Sequence, residues 1–319
     1  MNFPQGKYSF SRVCMETQVL PFSDENIAKA ARLILAGKLV GVPTETVYGL
    51  AADATNAEAV ALIYQAKGRP RFNPLIVHVP DLPAAIEIGE FGEDALSLAR
   101  EHWPGPLTLV VPLRADSPIA SLVSAGLSTI GLRVPDHPAM QTLLRTSARP
   151  LAAPSANSSG SISPTRAAHV LKSLGGLIPL IIDGGSTRRG IESTIVAATG
   201  GALRLLRQGP IEIDAEFAPA SAIEAPGQLA SHYAPSKPLR LRAETSDDGE
   251  FLIGFGAVAG DANLSVSGDL VEAAARLFDL LHMADDSAKT RIAVASIPGE
   301  GLGAAINDRL SRAAADRPK

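Results

Sequence analysis

The chain reads as an α/β protein built in two parts. Three observations predict this. Strand-like and helix-like segments alternate from about residue 23 to 215. Hydrophobic residues make up 46% of the 319 positions and charged residues 19%, which supplies a buried core and is not a disordered composition. Near residue 218 charge thins and prolines gather, and a second, smaller α/β pattern follows. Aromatics are only 4%, so Ala, Val, Leu and Ile must fill the core.

The elements follow in order. Residues 1–15 show no periodic pattern and read as an extension, with Met1 or Met15 as the start. Asp24–Ala36 has apolar positions at helical spacing, Ser23 or Asp24 as N-cap and Gly37 after it. Leu39–Val42 reads as a short buried strand, and Asn56–Lys67 as a helix stopped by Gly68. Leu75–Val79, Leu107–Leu113, Thr129–Val134 and Leu180–Asp183 read as strands. Ser163-Pro164 reads as a helix start with Pro at the first helical position. This first domain is expected over 16–217, and Pro219, Pro226, Pro235 and Pro238 mark a linker over 218–238. The small domain over 239–319 has strands at Phe251–Phe255 and Ile292–Ala295 and helices at Asp269–Met283 and Gly303–Ala315.

Composition excludes several function classes. A net charge of −4 argues against a general nucleic-acid coat. The single cysteine, Cys14, forms no internal disulfide and no cysteine zinc site, and a cytoplasmic location is expected. No apolar run is long enough to span a membrane, and no signal-peptide h-region precedes the first element. His-Glu-x-x-His, Gly-x-Ser-x-Gly, Gly-x-Gly-x-x-Gly and the Walker element are all absent, and no metal-ligand spacing stands out.

Four clusters remain that can carry chemistry. Pro43–Leu50 places hydroxyls at a strand end ahead of a helix, as a ligand contact or as a capped turn. Lys67-Gly68-Arg69-Pro70-Arg71 sets three cations in five residues at a helix end, for phosphate or for the helix dipole. Arg133 stands alone in an apolar strand; inward, it needs a protein carboxylate or a bound anion. Ala152–Gly160 is a small-residue loop that lets a nucleotide approach, and turn chemistry explains it equally. His78, in an apolar strand, is either a satisfied core residue or a ligand contact.

Taken in order, these motifs resemble one family. They are Pro43–Leu50, Lys67–His78, Trp103–Thr108, Thr129–Pro135, Ala153–Asn157, Asp183–Gly185, Glu192–Thr194 and Leu206–Pro210, with His232-Tyr233-Ala234-Pro235 in the linker. The family is the L-threonylcarbamoyladenylate synthases in their two-domain form. The resemblance implies a YrdC-type open twisted sheet with a concave cleft, plus a small Rossmann-like C-terminal domain. It implies that L-threonine, bicarbonate and ATP, with Mg²⁺, give L-threonylcarbamoyl-AMP and pyrophosphate. The product serves N6-threonylcarbamoyladenosine formation at position 37 of tRNA through downstream threonylcarbamoyl-transfer proteins. By resemblance, Thr46, His78, Arg133, Ala153 and Ser193 surround threonine. Arg69, Asn73, Thr129, Ser155, Ser163, Arg207 and Tyr233 contact ATP, and Lys67 and Arg69 act at the phosphates. The linker departs from the family pattern at Gln228-Leu229-Ala230-Ser231, where a basic or aromatic residue is common. Two competing readings are a hydrogenase-maturation carbamoyl-transfer domain and a non-catalytic RNA-binding module using the cleft. The first calls for cysteine pairs that this chain lacks. The second calls for basic charge and stacking aromatics.

Overall fold

The computed structural model describes residues 16–70, 72–217, 224–225 and 231–315. The expected extension over 1–15, with Cys14 and Met15, and most of the Pro-rich stretch lie outside the described residues. The α/β class expected from the sequence is the one found. The larger sheet holds β1 (Gln18–Pro21), β2 (Val40–Pro43), β3 (Tyr48–Asp53), β4 (Ile76–His78), β5 (Leu107–Pro112) and β6 (Thr129–Arg133). It continues with β7 (Leu151–Ala152), β8 (Leu180–Asp183), β9 (Thr194–Ala197), β10 (Arg204–Arg207) and β11 (Glu216–Phe217). Their spatial order is β1-β8-β2-β3-β7-β4-β6-β5-β9-β10-β11. The sheet is mixed: β2 and β3 form an antiparallel hairpin, whereas β4 runs parallel to β6.

Helices α1 (Asp24–Leu35), α2 (Ala57–Lys67), α3 (Leu82–Ile86), α4 (Glu93–His102), α5 (Ser121–Ser124), α6 (Pro138–Ser147) and α7 (Ala167–Leu174) accompany this sheet. Local chemistry sets their ends. Ser23 Oγ accepts from Asn26 N at the start of α1, where Asp24 and Glu25 face the helix dipole. Ile27, Ala30, Ala31 and Ile34 form its buried stripe at helical spacing. Asn56 Oδ1 caps α2 by accepting from Glu58 N and Ala59 N. Gly68 ends it in the left-handed region at φ 59°, which favours glycine.

Two sequence expectations are corrected. Ser163-Pro164 starts no helix; α7 begins at Ala167. The Ser163 hydroxyl is spent on Glu192 instead of a cap, and the Pro164 carbonyl accepts from Tyr48 N. Proline stands in the first turn of α3, which Asp81 caps, and of α6, where His137 caps and Pro138 opens the turn. Nor does Pro43–Leu50 precede a helix directly: it is the tip of the β2–β3 hairpin.

The smaller sheet orders β12 (Leu239–Arg240), β13 (Glu250–Gly254), β14 (Ala262–Asn263) and β15 (Arg291–Val294) as β12-β15-β13-β14, all parallel. Helices α8 (Leu270–Asp286) and α9 (Leu302–Ala314) pack with it. Its apolar core does not stop at the sheet boundary. Val47, Ile162, Ile191 and Tyr233 belong to the same cluster as Leu277, Phe278, Leu281 and Ile306. Gly190 takes φ 70° with its Cα against α8, where a Cβ would stand 2.3 Å from the Ala274 carbonyl oxygen.

That close approach generates a test of the packed boundary. Gly190→Ala is expected to lower stability by about 1–3 kcal/mol, read from the urea midpoint, because both the contact and the φ reject a Cβ. An unchanged midpoint contradicts the packing described.

Candidate active site

A cleft opens over the larger sheet. Ile76 and His78, two residues apart on β4, present one face of the strand to it. His78 is in register with Arg133 of β6, and Ala153 follows β7 with its amide on the Ile76 carbonyl. The hairpin tip supplies one wall. Thr44 Oγ1 accepts from Thr46 N and Val47 N and satisfies the turn. Glu45 and Thr46 are thereby released from capping and held against Arg133.

Arg133 carries the first ion pair. Its Nη2 lies 2.6 Å from Glu45 Oε1 and donates to Thr46 Oγ1 at 3.1 Å, and its Nε donates to the Gly105 carbonyl at 3.3 Å. The partner that an inward arginine needs is therefore a protein carboxylate. The guanidinium fork is partly taken, and among the described residues Nη1 meets no protein acceptor.

A parallel arrangement faces it. Arg207 of β10 donates from Nε to the Ser193 carbonyl and from Nη2 to Ser193 Oγ, both at 3.0 Å. Ser193 Oγ shares a 2.8 Å hydrogen bond with Thr108 Oγ1, as Thr46 Oγ1 does with Thr44 Oγ1. Each arginine thus meets a hydroxyl pair, and the hydroxyl it touches, Thr46 or Ser193, follows a glutamate, Glu45 or Glu192. Glu192 Oε1 accepts from Ser163 Oγ at 2.5 Å and Oε2 from Arg309 Nε at 3.0 Å.

The expected site residues divide by position. Thr46, Arg69, His78, Arg133, Ala153, Ser155, Ser193, Arg207 and Tyr233 all border the cleft. Lys67, Asn73, Thr129 and Ser163 do not. Lys67 Nζ donates to the Ser155 and Asn157 carbonyls, each at 2.5 Å, and so braces the small-residue loop from behind. Asn73 lends its carbonyl to Arg69 Nε at 3.2 Å, while Arg69 Nη2 donates to the Pro74 carbonyl. Thr129 opens β6, four residues before Arg133 and about 13 Å along the strand. Ser163 lies behind Glu192. The residues that sequence reasoning left out are Glu45, Thr44, Thr108, Glu192 and Arg309, while His232 of the linker motif borders the cleft beside Tyr233. The two glutamates were signalled by their place beside Thr46 and Ser193; Arg309 had no local signal.

The linker enters the cleft. His232 and Tyr233 are both buried, with rings edge-to-face at 4.0 Å, and Ala234 N donates to the Gly160 carbonyl at 2.8 Å. Burial sets the protonation states. It pushes His78 down to about 3, with Arg133 adding to the effect. It drives His232 well below the usual histidine range, reinforced by Arg69, Lys67, Arg207 and Arg309. It also lowers Lys67 strongly and brings Arg69 down to about 10. Both imidazoles are therefore neutral near pH 7. His78 Nδ1, His232 Nδ1 and Tyr233 Oη are buried with no hydrogen-bond partner among the described residues. Glu45 Oε1 and Oε2 and Arg309 Nη2 are likewise without a hydrogen bond among the described residues, so the region holds polar atoms of both signs that water or a ligand can satisfy.

Four arginines, Arg69, Arg133, Arg207 and Arg309, and the buried Lys67 meet three carboxylates, Glu45, Glu192 and Asp308, in and immediately around this cleft. The surplus charge, the hydroxyl pairs and the partnerless polar atoms describe a site for an anionic ligand.

Comparison with known proteins agrees. A family model described as "Telomere recombination" (Sua5, YciO and YrdC) matches residues 32–209. One described as "Threonylcarbamoyl-AMP synthase, C-terminal domain" matches residues 187–315. The chain is 39% identical to a Bacillus subtilis protein named threonylcarbamoyl-AMP synthase, over 94% of this chain and 96% of that one. It is 38% identical to a Pyrococcus abyssi protein of the same name, over 90% and 94%. The crystal structure of P. abyssi Sua5 complexed with L-threonine matches with a TM-score of 0.85 and 34% identity, over 94% of this chain and 97% of that one. Escherichia coli YciO, at 18% identity, a TM-score of 0.54 and coverage of 63% of this chain and 97% of its own, shares the fold.

The buried histidines generate a pH test. In the unfolded chain each titrates near its ordinary value of about 6.5, whereas folded His78 resists protonation until about pH 3. As pH falls through that window the unfolded state binds the extra proton. Stability then drops by up to about 1.4 kcal/mol per pH unit for each such histidine. His78→Gln is expected to flatten the fall of urea-measured stability between about pH 6 and 4. An unchanged slope contradicts the neutral buried imidazole.

Proposed function

The chain belongs to the threonylcarbamoyl-AMP synthase family, and on that premise we propose that it catalyses nucleotidyl transfer from ATP to threonine carbamate. Threonine's amine and bicarbonate give a carbamate with loss of water. A carbamate oxygen then attacks the α-phosphorus of ATP, the new P–O bond forms, and pyrophosphate leaves with the α–β bridging oxygen. Threonine carbamate and ATP are both anions, so repulsion must be offset and the partners held in line. The observation that carries this reading is the set of buried arginines around one cleft, Arg69, Arg133 and Arg207, each oriented by a protein acceptor. No protein nucleophile enters the chemistry.

Arg133 is assigned to the threonine carboxylate through Nη1, with Thr46, His78, Ala153 and Ser193 around the amino acid. Val47, Ile76 and Pro154 supply apolar surface for its methyl group. Arg69, Ser155, Arg207 and Tyr233 are assigned to ATP. Lys67, Asn73 and Ser163 act from behind this wall, and Thr129 has the weakest claim, given its distance along β6. Mg²⁺ fits as an ion carried in on the nucleotide. Glu45 and Glu192 are committed to arginines, and among the described residues no group of three or more His, Cys, Asp and Glu could hold a metal. When bound it neutralises phosphate charge, and the chain's part is to leave room for its water shell beside hydroxyls such as Ser155. No helix among the described residues is long and apolar enough to cross a membrane. We place the reaction in the cytoplasm, with the product passing to threonylcarbamoyl-transfer proteins that act on tRNA. No observation favours the RNA-binding reading.

Two measurements test this. Pyrophosphate release from ATP should require both threonine and bicarbonate, with threonylcarbamoyl-AMP identified by mass; release independent of threonine contradicts it. Arg133→Ala should raise the threonine KM by about 30-fold or more, since truncating one side of a buried charged contact costs about 2–5 kcal/mol. The ATP KM should move little. Near-normal threonine dependence removes Arg133 from the role.

A further inference from the structure

Arg309 lies on α9 of the smaller domain, yet its side chain ends at the cleft wall. It is fully buried, with Nε on Glu192 Oε2 at 3.0 Å and Nη1 on Asp308 Oδ2 at 3.0 Å. The other oxygen of Glu192 holds Ser163, and the next residue is Ser193, the hydroxyl on Arg207. The Arg309 guanidinium also sits 5.6 Å from the centroid of the Tyr233 ring. Desolvated cation–π contact of this kind is attractive. Burial opposes the Arg309 charge, but Tyr233, Glu192 and Asp308 outweigh it and raise its affinity for the proton.

The smaller domain grips the same region elsewhere. His282 Nε2 lies 3.2 Å from the Ser163 carbonyl. The Tyr233 ring packs 5.5 Å from Phe278 of α8. Val47, Ile162 and Ile191 adjoin Thr46, Ser163 and Glu192 in sequence, and all three are buried in the smaller domain's core. Tyr233 itself is held at φ 63°, a conformation a non-glycine residue keeps only when its surroundings impose it.

We propose that Arg309 is a positioning residue of the smaller domain that completes the ATP side of the cleft. It acts through Glu192 on the main chain at Ser193, whose carbonyl orients Arg207, and through its contact with the ring on the closed placement of Tyr233. This rests on the assignment of Tyr233 and Arg207 to ATP. The second domain thereby gains a defined role, because the nucleotide wall is unfinished without a side chain from α9. Among the described residues Arg133 has its printed partners in Glu45, Thr46 and Gly105, all within the larger domain.

The test uses the full chain and compares Arg309→Met, Arg309→Lys and the Glu192→Gln/Arg309→Met pair. Arg309→Met removes the charge and keeps much of the volume. It is expected to raise the ATP KM about tenfold or more while the threonine KM changes less than about threefold. The fraction of intermediate lost as AMP and free threonine should rise with it, because a displaced Tyr233 admits water. The pair should be scarcely worse than Arg309→Met alone, as expected of residues acting as a unit. Should Arg309→Met fail to fold, Arg309→Lys keeps the charge without the planar fork and is expected to raise the ATP KM several-fold. A folded variant with an unchanged ATP KM, or with both KM values raised equally, overturns the inference. Failure of the wild-type chain to release pyrophosphate with threonine would instead overturn the reaction itself.

Discussion

Four arginines and a lysine are buried within one small region, and that is the constraint the rest of the molecule answers to. Arg69, Arg133, Arg207, Arg309 and Lys67 are each at most 7% exposed. A buried guanidinium is tolerated only when its donors are taken and its charge is met. Three carboxylates meet part of the charge, Glu45 at Arg133 and Glu192 with Asp308 at Arg309. Main-chain carbonyls take most of the rest: Gly105 for Arg133, Ser193 for Arg207, Pro74 for Arg69, and Ser155 with Asn157 for Lys67. The loops that look irregular are thus tied down by the cations they surround.

The consequence is a preorganised anion site. The arginines are oriented before any substrate arrives, so little reorganisation is needed when charge moves on the α-phosphate. Two neutral imidazoles sit among these cations, since a charged one would add repulsion. The hydroxyl pairs Thr44–Thr46 and Thr108–Ser193 repeat one device on opposite walls. In each, one hydroxyl faces an arginine and the next residue back is an acid. The linker's rings then lie against the cations, which joins the smaller domain to the chemistry.

Much of this is legible in the residues, and the exceptions have physical causes. Ser23 and Asn56 cap helices because their side chains have no other claim on them. Ser163-Pro164 carries the same local signal and starts nothing, because Glu192 takes the hydroxyl. The proline-led helix at Pro138 has histidine as its cap, a residue that a search for Ser, Thr, Asp or Asn passes over. The hairpin at Pro43–Leu50 is hidden because β3 is buried along its whole length and shows no alternation. Motif resemblance located Thr46, Arg133 and Ser193 but not what each one touches. Whether Arg133 meets a protein carboxylate depends on the fold of the hairpin tip. Arg309 lies 117 residues from Glu192, and no local pattern relates them.

In the proposed reaction one cationic cleft holds both reactants, threonine against Arg133 and the nucleotide against Arg69 and Arg207. A crystal structure with L-threonine and a non-hydrolysable ATP analogue decides this. The threonine carboxylate is expected within about 3 Å of Arg133 Nη1, the phosphates on Arg69 or Arg207, and the ring of Tyr233 against the nucleotide. The nucleotide in the smaller domain's hollow beside Arg242, Ser296 and Asn307, with the cleft arginines untouched, would contradict it.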